Sequence, residues 1–485
     1  MRARILLIVL LATAATARAQ DESKLGADFR GEGERFRQNC GVFNLPSIEG
    51  CAELLFTDHP VHIAVGSIAP ENGFGAGVAF VTHYTPNEKW RLSWNTDAVG
   101  SINGSWRAGV YMTAILTTPR TEKTTHGRPD PKHKPKPPSF ERPEFHLYAQ
   151  TITLNKIDYF GLGPSTTVAD RSFYGMRQTI PGGNVWWPVF EPMRISLYGE
   201  FNGRFVDIRP STGQPSPSIE QLYTEATAPG LTSQPGFLQL GEGVRLRPTI
   251  SQVNLRFNYF VLYQQFAAPG NSQFNFQRFT IDLAQERPLY SSTRTFYPVA
   301  GNGPDDCTAA ETPSSSGSPA SLEDATKAKK ERQDHPCPRV TRNREGSVGF
   351  RFFLSDSFKP DGHVVPFYLQ PTLGGTDING SPSLASYQDY RYRAPNVMLL
   401  RENFDHSIYG PLGFTFIADQ GKVGLTRGDL GSNPWFHSFS TGLALRAGGF
   451  PQVFLLFSWG GKEGTHTSAI TNASLLGGSS RPSLY

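Results

Sequence analysis

Beyond Ala12 the chain has no stretch approaching the ~20 continuous apolar residues that a membrane-crossing helix needs. A helical anchor further along is thereby excluded. Charge is scarce too: Asp, Glu, Lys and Arg make up 18% of residues, against roughly 25% in ordinary soluble proteins. The formal net charge of +4 counts Arg2, Arg4 and Arg18, which depart with the leader described below. What remains is too close to neutral to steer nucleic acid, and none is expected as a partner. No phosphate-cradling loop is present, since Gly421-Lys422 lacks the upstream glycine and the following hydroxyl. His62, His83, His146 and His466 are scattered, and His59 with His62 is too small a set for a metal. No nucleophile, base and orienter fall into a recognisable pattern. The chain reads as a non-enzyme with no catalytic residue, metal or cofactor. A hydrolase with Ser and His on adjacent strands is the one catalytic reading left open.

Cysteine is limited to four residues, which fits an oxidising compartment. Cys40 and Cys51 bracket one short segment, and Cys307 and Cys337 bracket another. Of the three pairings that four cysteines allow, these two local disulfides are the simplest. Neither pair has the close spacing of a zinc site.

What is present begins with a leader. Arg2 and Arg4 precede the apolar run Ile5–Ala12, and Ala17-Arg18-Ala19 supplies small residues before Gln20. This is the pattern of a secretory signal peptide over 1–19. Most of the remaining chain alternates apolar and polar residues with period 2. From Arg194 to Phe205, the residues Ile195, Leu197, Phe201 and Phe205 share one face, and Arg194, Ser196, Glu200, Asn202 and Arg204 share the other. Period 2 specifies strands. A soluble sandwich would turn the charged face to water; an exported barrel would turn the apolar face to lipid and the charged face to a lumen. Mean hydropathy of −0.35 does not oppose the barrel, because alternation cancels in any average. Trp90, Trp186, Trp187, Trp435 and Trp459 lie near strand ends, as an interfacial belt requires.

The chain divides into the signal peptide, a short polar periplasmic segment over 20–58, and a barrel over 59–485. Two insertions interrupt the barrel: a Lys/Arg/His/Pro-rich stretch over 117–143 and a Ser/Pro/charge-rich one over 288–344. Both fall on the periplasmic side if the N-terminus does. The fold class is all-β, a sixteen-stranded antiparallel transmembrane barrel with long loop insertions. An even number returns both termini to one side, and closure removes lipid-exposed edges.

Particular motifs support this. Tyr159-Phe160-Gly161-Leu162-Gly163-Pro164, then Asp170-Arg171-Ser172-Phe173-Tyr174, are followed by Val365-Pro366-Phe367-Tyr368-Leu369 and Leu373-Gly374-Gly375. Phe416-Ile417-Ala418-Asp419-Gln420-Gly421-Lys422-Val423 and Lys462-Glu463-Gly464 come next. In this order they resemble the BamA-like bacterial surface antigen superfamily, over residues 145–476. The resemblance implies a barrel in a Gram-negative outer membrane. It implies outer-membrane lipid and lipopolysaccharide as surroundings, and unfolded protein or lipid as cargo. The chain looks like a member without the POTRA domains that precede the barrel.

In translocating members the long sixth surface loop, here 357–394, carries a Leu-Arg-Gly-Tyr tetrapeptide. Its Arg folds into the lumen and pairs with acids on strands twelve and thirteen. Here the best match is Leu384-Ala385-Ser386-Tyr387, so Leu and Tyr are kept and Ala385 stands where the Arg belongs. The resemblance therefore implies loop-to-barrel contact through Tyr387, Arg391, Arg393, Glu402 and Asp419. Either Arg391 or Arg393 supplies the cation, or the loop is held otherwise. Members also end the last strand in an aromatic residue; here 465–476 is polar, and Tyr485 is the one aromatic beyond it. Such a strand could give a loose seam with the first. Three functions stay open: an aid to protein or lipid insertion and transport, a plain or plugged barrel, and a hydrolase of outer-membrane lipids.

Overall fold

The computed structural model describes residues 61–117, 141–211, 217–250, 253–300, 307–310, 340–409, 412–447, 450–471 and 481–485. The signal peptide, the 20–58 segment, nearly all of 117–143 and the centre of the 288–344 insertion lie outside the described residues. So do Cys40, Cys51 and Cys337, and of Cys307 only the backbone is described.

Among the described residues the long strands are β1 (Val61–Ser67), β2 (Phe74–Asn87), β3 (Trp90–Ser101), β4 (Trp106–Leu116), β5 (Glu144–Tyr159) and β6 (Ser172–Phe190). They continue as β7 (Ile195–Pro210), β8 (Phe237–Leu246), β9 (Leu255–Ala267), β10 (Phe276–Ala300) and β11 (Val340–Phe358). The last five are β12 (Asn396–Tyr409), β13 (Leu412–Gly424), β14 (Phe436–Ala447), β15 (Phe450–Gly461) and β16 (Gly464–Thr471). Each pairs antiparallel with the next, so the chain is one continuous meander.

One expectation about extent needs adjustment. The 288–344 insertion begins and ends as sheet, because the β10–β11 ladder runs on to Phe296 opposite Val340. Composition marked that segment as loop, but Ser291-Ser292-Thr293-Arg294-Thr295-Phe296-Tyr297 is rich in β-branched and aromatic residues that favour a pleated backbone.

The alternation sorts side chains by polarity in the inverse of a soluble protein. On β7, Leu197, Phe201 and Phe205 are 46%, 55% and 55% exposed, while Ser196, Asn202 and Arg204 are each 1% exposed. The apolar outer face continues through Leu238, Leu240 and Val244 on β8, Phe439 and Leu443 on β14, and Leu455 and Phe457 on β15. The inner face is a polar network. Arg107 pairs with Asp97 at 2.7 Å, Tyr111 donates to Gln150 at 2.8 Å, and Tyr148 donates to Asn202 at 2.7 Å. Arg204 is fully enclosed and donates to Gln239. These buried polar groups hold one another.

The sheet curls into a barrel around the connection between β11 and β12. That one segment meets Pro70 after β1, Tyr174 on β6, Arg278 on β10, Asp419 on β13, Ser438 on β14 and Glu463 before β16. A flat sheet could not bring its first and last strands to the same loop. Among the described residues no ladder joins β16 to β1, although their Cα atoms approach within 8 Å.

Candidate functional site: the lumenal loop

The β11–β12 connection enters the barrel, and its residues 365–378, 383–387 and 390–395 are buried there. A two-residue sheet, Thr372–Leu373 against Tyr392–Arg393, ties its two limbs together. Gly374 and Gly375 make the turn that lets the limbs cross (φ 103° and 59°). A Cβ on Gly375 would lie 2.5 Å from the Asp389 backbone, so nothing larger fits.

Two strands and a turn receive the loop. The Asp419 carboxylate on β13 accepts the Leu384 N–H at 2.8 Å. It is also gripped by both ends of the Arg401 guanidinium, at 2.7 and 2.8 Å. Arg401 reaches on to the Pro382 carbonyl. One residue along from Asp419 in alternation, Gly421 leaves space for the loop's Leu373 and Leu384, whose methyl carbons would stand 2.9 and 3.1 Å from a Cβ there. The Ser386 N–H donates to Ser438 on β14 at 2.9 Å. Tyr387 packs with Tyr392 and Phe436, and its hydroxyl accepts the Lys462 N–H at 3.4 Å.

Arg391 and Arg393 do other work. Arg391 pairs with Glu463 in the β15–β16 turn and donates to Thr166, at 2.8 Å to the hydroxyl and 2.6 Å to the carbonyl. Its guanidinium lies over Phe160 and Tyr392, 5.0 and 4.5 Å from the ring centres. Arg393 donates to the Phe367 carbonyl at 2.9 Å and the Tyr174 hydroxyl at 3.4 Å. Its own carbonyl accepts the Gly163 N–H at 2.8 Å. The aromatic-Gly-Leu-Gly motif is thus a dock for the loop's returning limb.

Of the five residues singled out from the resemblance, Tyr387, Arg391, Arg393 and Asp419 gather at the loop. Glu402 does not: it is exposed on β12, one residue from the inward Arg401. Neither loop arginine reaches Asp419, and the loop is held otherwise, with Arg401 from the neighbouring strand as the cation. Ala385 is buried, next in the chain to Leu384, whose N–H Asp419 accepts. Sequence reasoning gave no role to Arg401, Thr166, Tyr174 or Glu463. A signal for Glu463 existed in the Lys462-Glu463-Gly464 turn, but nothing local ties it to Arg391, 72 residues away.

Near the loop tip two carboxyls are held above their usual range. Burial pushes Asp377 up to about 6, opposed by the amides of Ser381 and Asn379, the Tyr485 hydroxyl and Arg351. Desolvation also pushes Asp389 up to about 6, with Glu71 adding to the shift and Thr376 and Arg171 opposing it. A folded pKa above the unfolded ~3.9 means both groups favour the docked loop most when protonated. That contribution fades as pH rises through about 6. Hydrogen exchange of amides 376–390, corrected for intrinsic rate, is expected to be faster at pH 7.5 than at pH 5. Equal protection at the two values would mean that neither carboxyl is desolvated.

Among the described residues no group of His, Cys, Asp or Glu is arranged to hold a metal, and no helix is long and apolar enough to cross a membrane. No family model and no curated protein matches the chain. Among solved structures it is similar to CdiB from Acinetobacter baumannii, with TM-score 0.44 and 10% identity over 84% of this chain and 58% of that one. CdiB from Escherichia coli gives 0.43 and 10% over 83% and 59%. BamA from Haemophilus ducreyi lacking POTRA domains 1–3 gives 0.41 and 10% over 86% and 67%. The chain therefore spans a little under three fifths of the length of the CdiB from Acinetobacter baumannii.

Proposed function

We propose that this chain is a Gram-negative outer-membrane barrel of the bacterial surface antigen type, assisting the insertion or transport of protein or lipid. The loop around Asp419 and Arg391 is its removable lumenal occupant. The observation that carries this reading is the inverted polarity of the wall: Leu197, Phe201 and Phe205 outward, Ser196, Asn202 and Arg204 enclosed. Water would not stabilise such a surface; lipid chains would, while the lumen keeps its charges hydrogen-bonded. Transport is supported by how the loop is held. Its polar anchors, at Asp419 and Glu463, are hydrogen bonds and ion pairs that water can replace one by one, while Phe367, Leu369, Leu384 and Tyr387 pack into apolar clusters shared with the wall. The β1–β16 edge, without a ladder among the described residues, offers a place where the wall could part.

The lipid-facing reading is tested by Phe201→Arg, near the middle of β7. An arginine on the outer face costs about 2–4 kcal/mol at the bilayer midplane. Folding into phosphatidylcholine vesicles, followed by heat-modifiable gel mobility, should fall accordingly, and Asp361→Arg in the exposed part of the loop should leave it unchanged. Equal folding of Phe201→Arg and the parent protein would remove the membrane reading. Cargo handling is tested by vesicles carrying the purified protein, offered an unfolded outer-membrane barrel or a labelled lipid. Faster folding or lipid passage than in empty vesicles is the expected result. The extensive burial of the loop also favours a second reading, a plugged structural barrel, which predicts no acceleration.

A further inference from the structure

A second segment shares the lumen with the loop. Arg481-Pro482-Ser483-Leu484-Tyr485 lies against the inner wall and the loop tip, far in sequence from both. Its contacts are made through both side chains and backbone. Arg481 pairs with Asp97 on β3 at 3.2 Å, beside the Arg107 that shares the same carboxylate oxygen. Asn379 at the loop tip grips the segment twice. Its carbonyl oxygen accepts the Leu484 N–H at 2.8 Å, and its amide donates to the Ser483 hydroxyl at 3.2 Å. The Tyr485 hydroxyl donates to Asp377 at 2.9 Å. The other oxygen of that carboxylate shapes the tip by accepting the Asn379 and Ser381 amides at 2.9 and 2.8 Å. Leu484 is buried in the same apolar cluster as Ile378, and Arg278 lies over the Tyr485 ring, 6.0 Å from its centre. A cavity of about 1000 Å³ opens beside the segment, bordered by Ile68, Arg107, Gln150 and Asp389.

We propose that the lumenal recess between β3, β4 and the loop tip is a binding site for a linear peptide of the form Arg-Pro-Ser-Leu-Tyr. The chain fills it with its own residues 481–485, which clasp the loop inside the barrel. Each peptide position but proline has a partner of matching chemistry: a carboxylate for Arg481, an amide for the Ser483–Leu484 pair, an apolar slot for Leu484, and a carboxylate for the phenol. The recess lies partly on the wall and partly on the loop, so occupancy couples the loop to the wall. Leaving the recess would free the loop tip and enlarge the existing cavity. This rests on the loop's place in the lumen, not on what the barrel transports.

The test uses the full chain with Leu484→Asp, which places a charge in the apolar slot, and separately with Tyr485→Phe, which removes the phenol hydroxyl that bonds Asp377 and keeps the ring. Hydrogen exchange of amides 376–384 should be at least tenfold faster in the first and a few-fold faster in the second, with the strand amides of β7 and β8 unchanged. A fluorescent Arg-Pro-Ser-Leu-Tyr peptide should bind Leu484→Asp better than a scrambled one and slow that exchange again. If Leu484→Asp does not fold, Tyr485→Phe decides by the same readout. Unchanged tip exchange in the folded variants, or equal binding of both peptides, would overturn the proposal.

Discussion

Asp419→Ala is expected to undock the lumenal loop while leaving the wall standing. The carboxylate is 2% exposed and serves two masters, the Arg401 guanidinium and the Leu384 N–H. Removing it leaves a largely enclosed cation and a buried amide with no acceptor. Truncating one partner of a buried ion pair costs about 3–5 kcal/mol, most of it from the partner left behind. The loop carries that loss because Arg401 also reaches the Pro382 carbonyl. Exchange at 383–387 should rise by about two to three and a half orders of magnitude, since each ~1.4 kcal/mol is a factor of ten. Adding Arg401→Met to Asp419→Ala should restore part of the protection, as the stranded cation is gone. Glu402→Ala serves as the control: exposed on the neighbouring position, it should change stability by no more than ~0.5 kcal/mol. A Glu402 variant as damaging as Asp419→Ala would refute this account of the loop's anchoring.

That contrast also shows where the sequence could be read and where it could not. Alternation along Arg194–Phe205 was enough to assign faces, because a strand with one lipid-facing side repeats its polarity every second residue. The structure keeps Leu197, Phe201 and Phe205 on one side and Ser196, Asn202 and Arg204 on the other. The docking points were legible as well, since Gly163, Gly374, Gly375 and Gly421 sit in short motifs with a backbone or space requirement of their own. The ion pairs were not. Asp419 stands opposite Arg401 and Ala418 opposite Glu402. Which of two adjacent residues faces the lumen depends on strand register, and a slip of one position exchanges the faces. The resemblance nominates Glu402 as an acid at the loop, but the ladder and its exposure show it pointing away. Partners such as Arg391 and Glu463, or Asp377 and Tyr485, are brought together by barrel curvature, which no local pattern encodes.

Arg391 is the second residue on which a large effect should fall, and here the chemistry of the cation matters as much as its charge. The guanidinium is 3% exposed, pairs with Glu463, forks onto both the hydroxyl and the carbonyl of Thr166, and lies between Phe160 and Tyr392. A lysine ammonium could keep one of those bonds but not the fork or the ring contacts. Arg391→Lys should therefore lose most of what Arg391→Ala loses, and the latter should cost about 3–5 kcal/mol by stranding Glu463. Because these bonds tie the loop's returning limb to the β5–β6 connection and the β15–β16 turn, their loss should free the loop from two points on one rim of the wall at once. In a planar bilayer the parent protein should be silent or nearly so, and Arg391→Ala should open frequently to a conducting level. Glu463→Gln, which keeps a hydrogen-bond acceptor, should fall between them. A parent protein that conducts steadily, with no change in Arg391→Ala, would show that ions bypass the loop and that its ion pair has no part in closing the lumen.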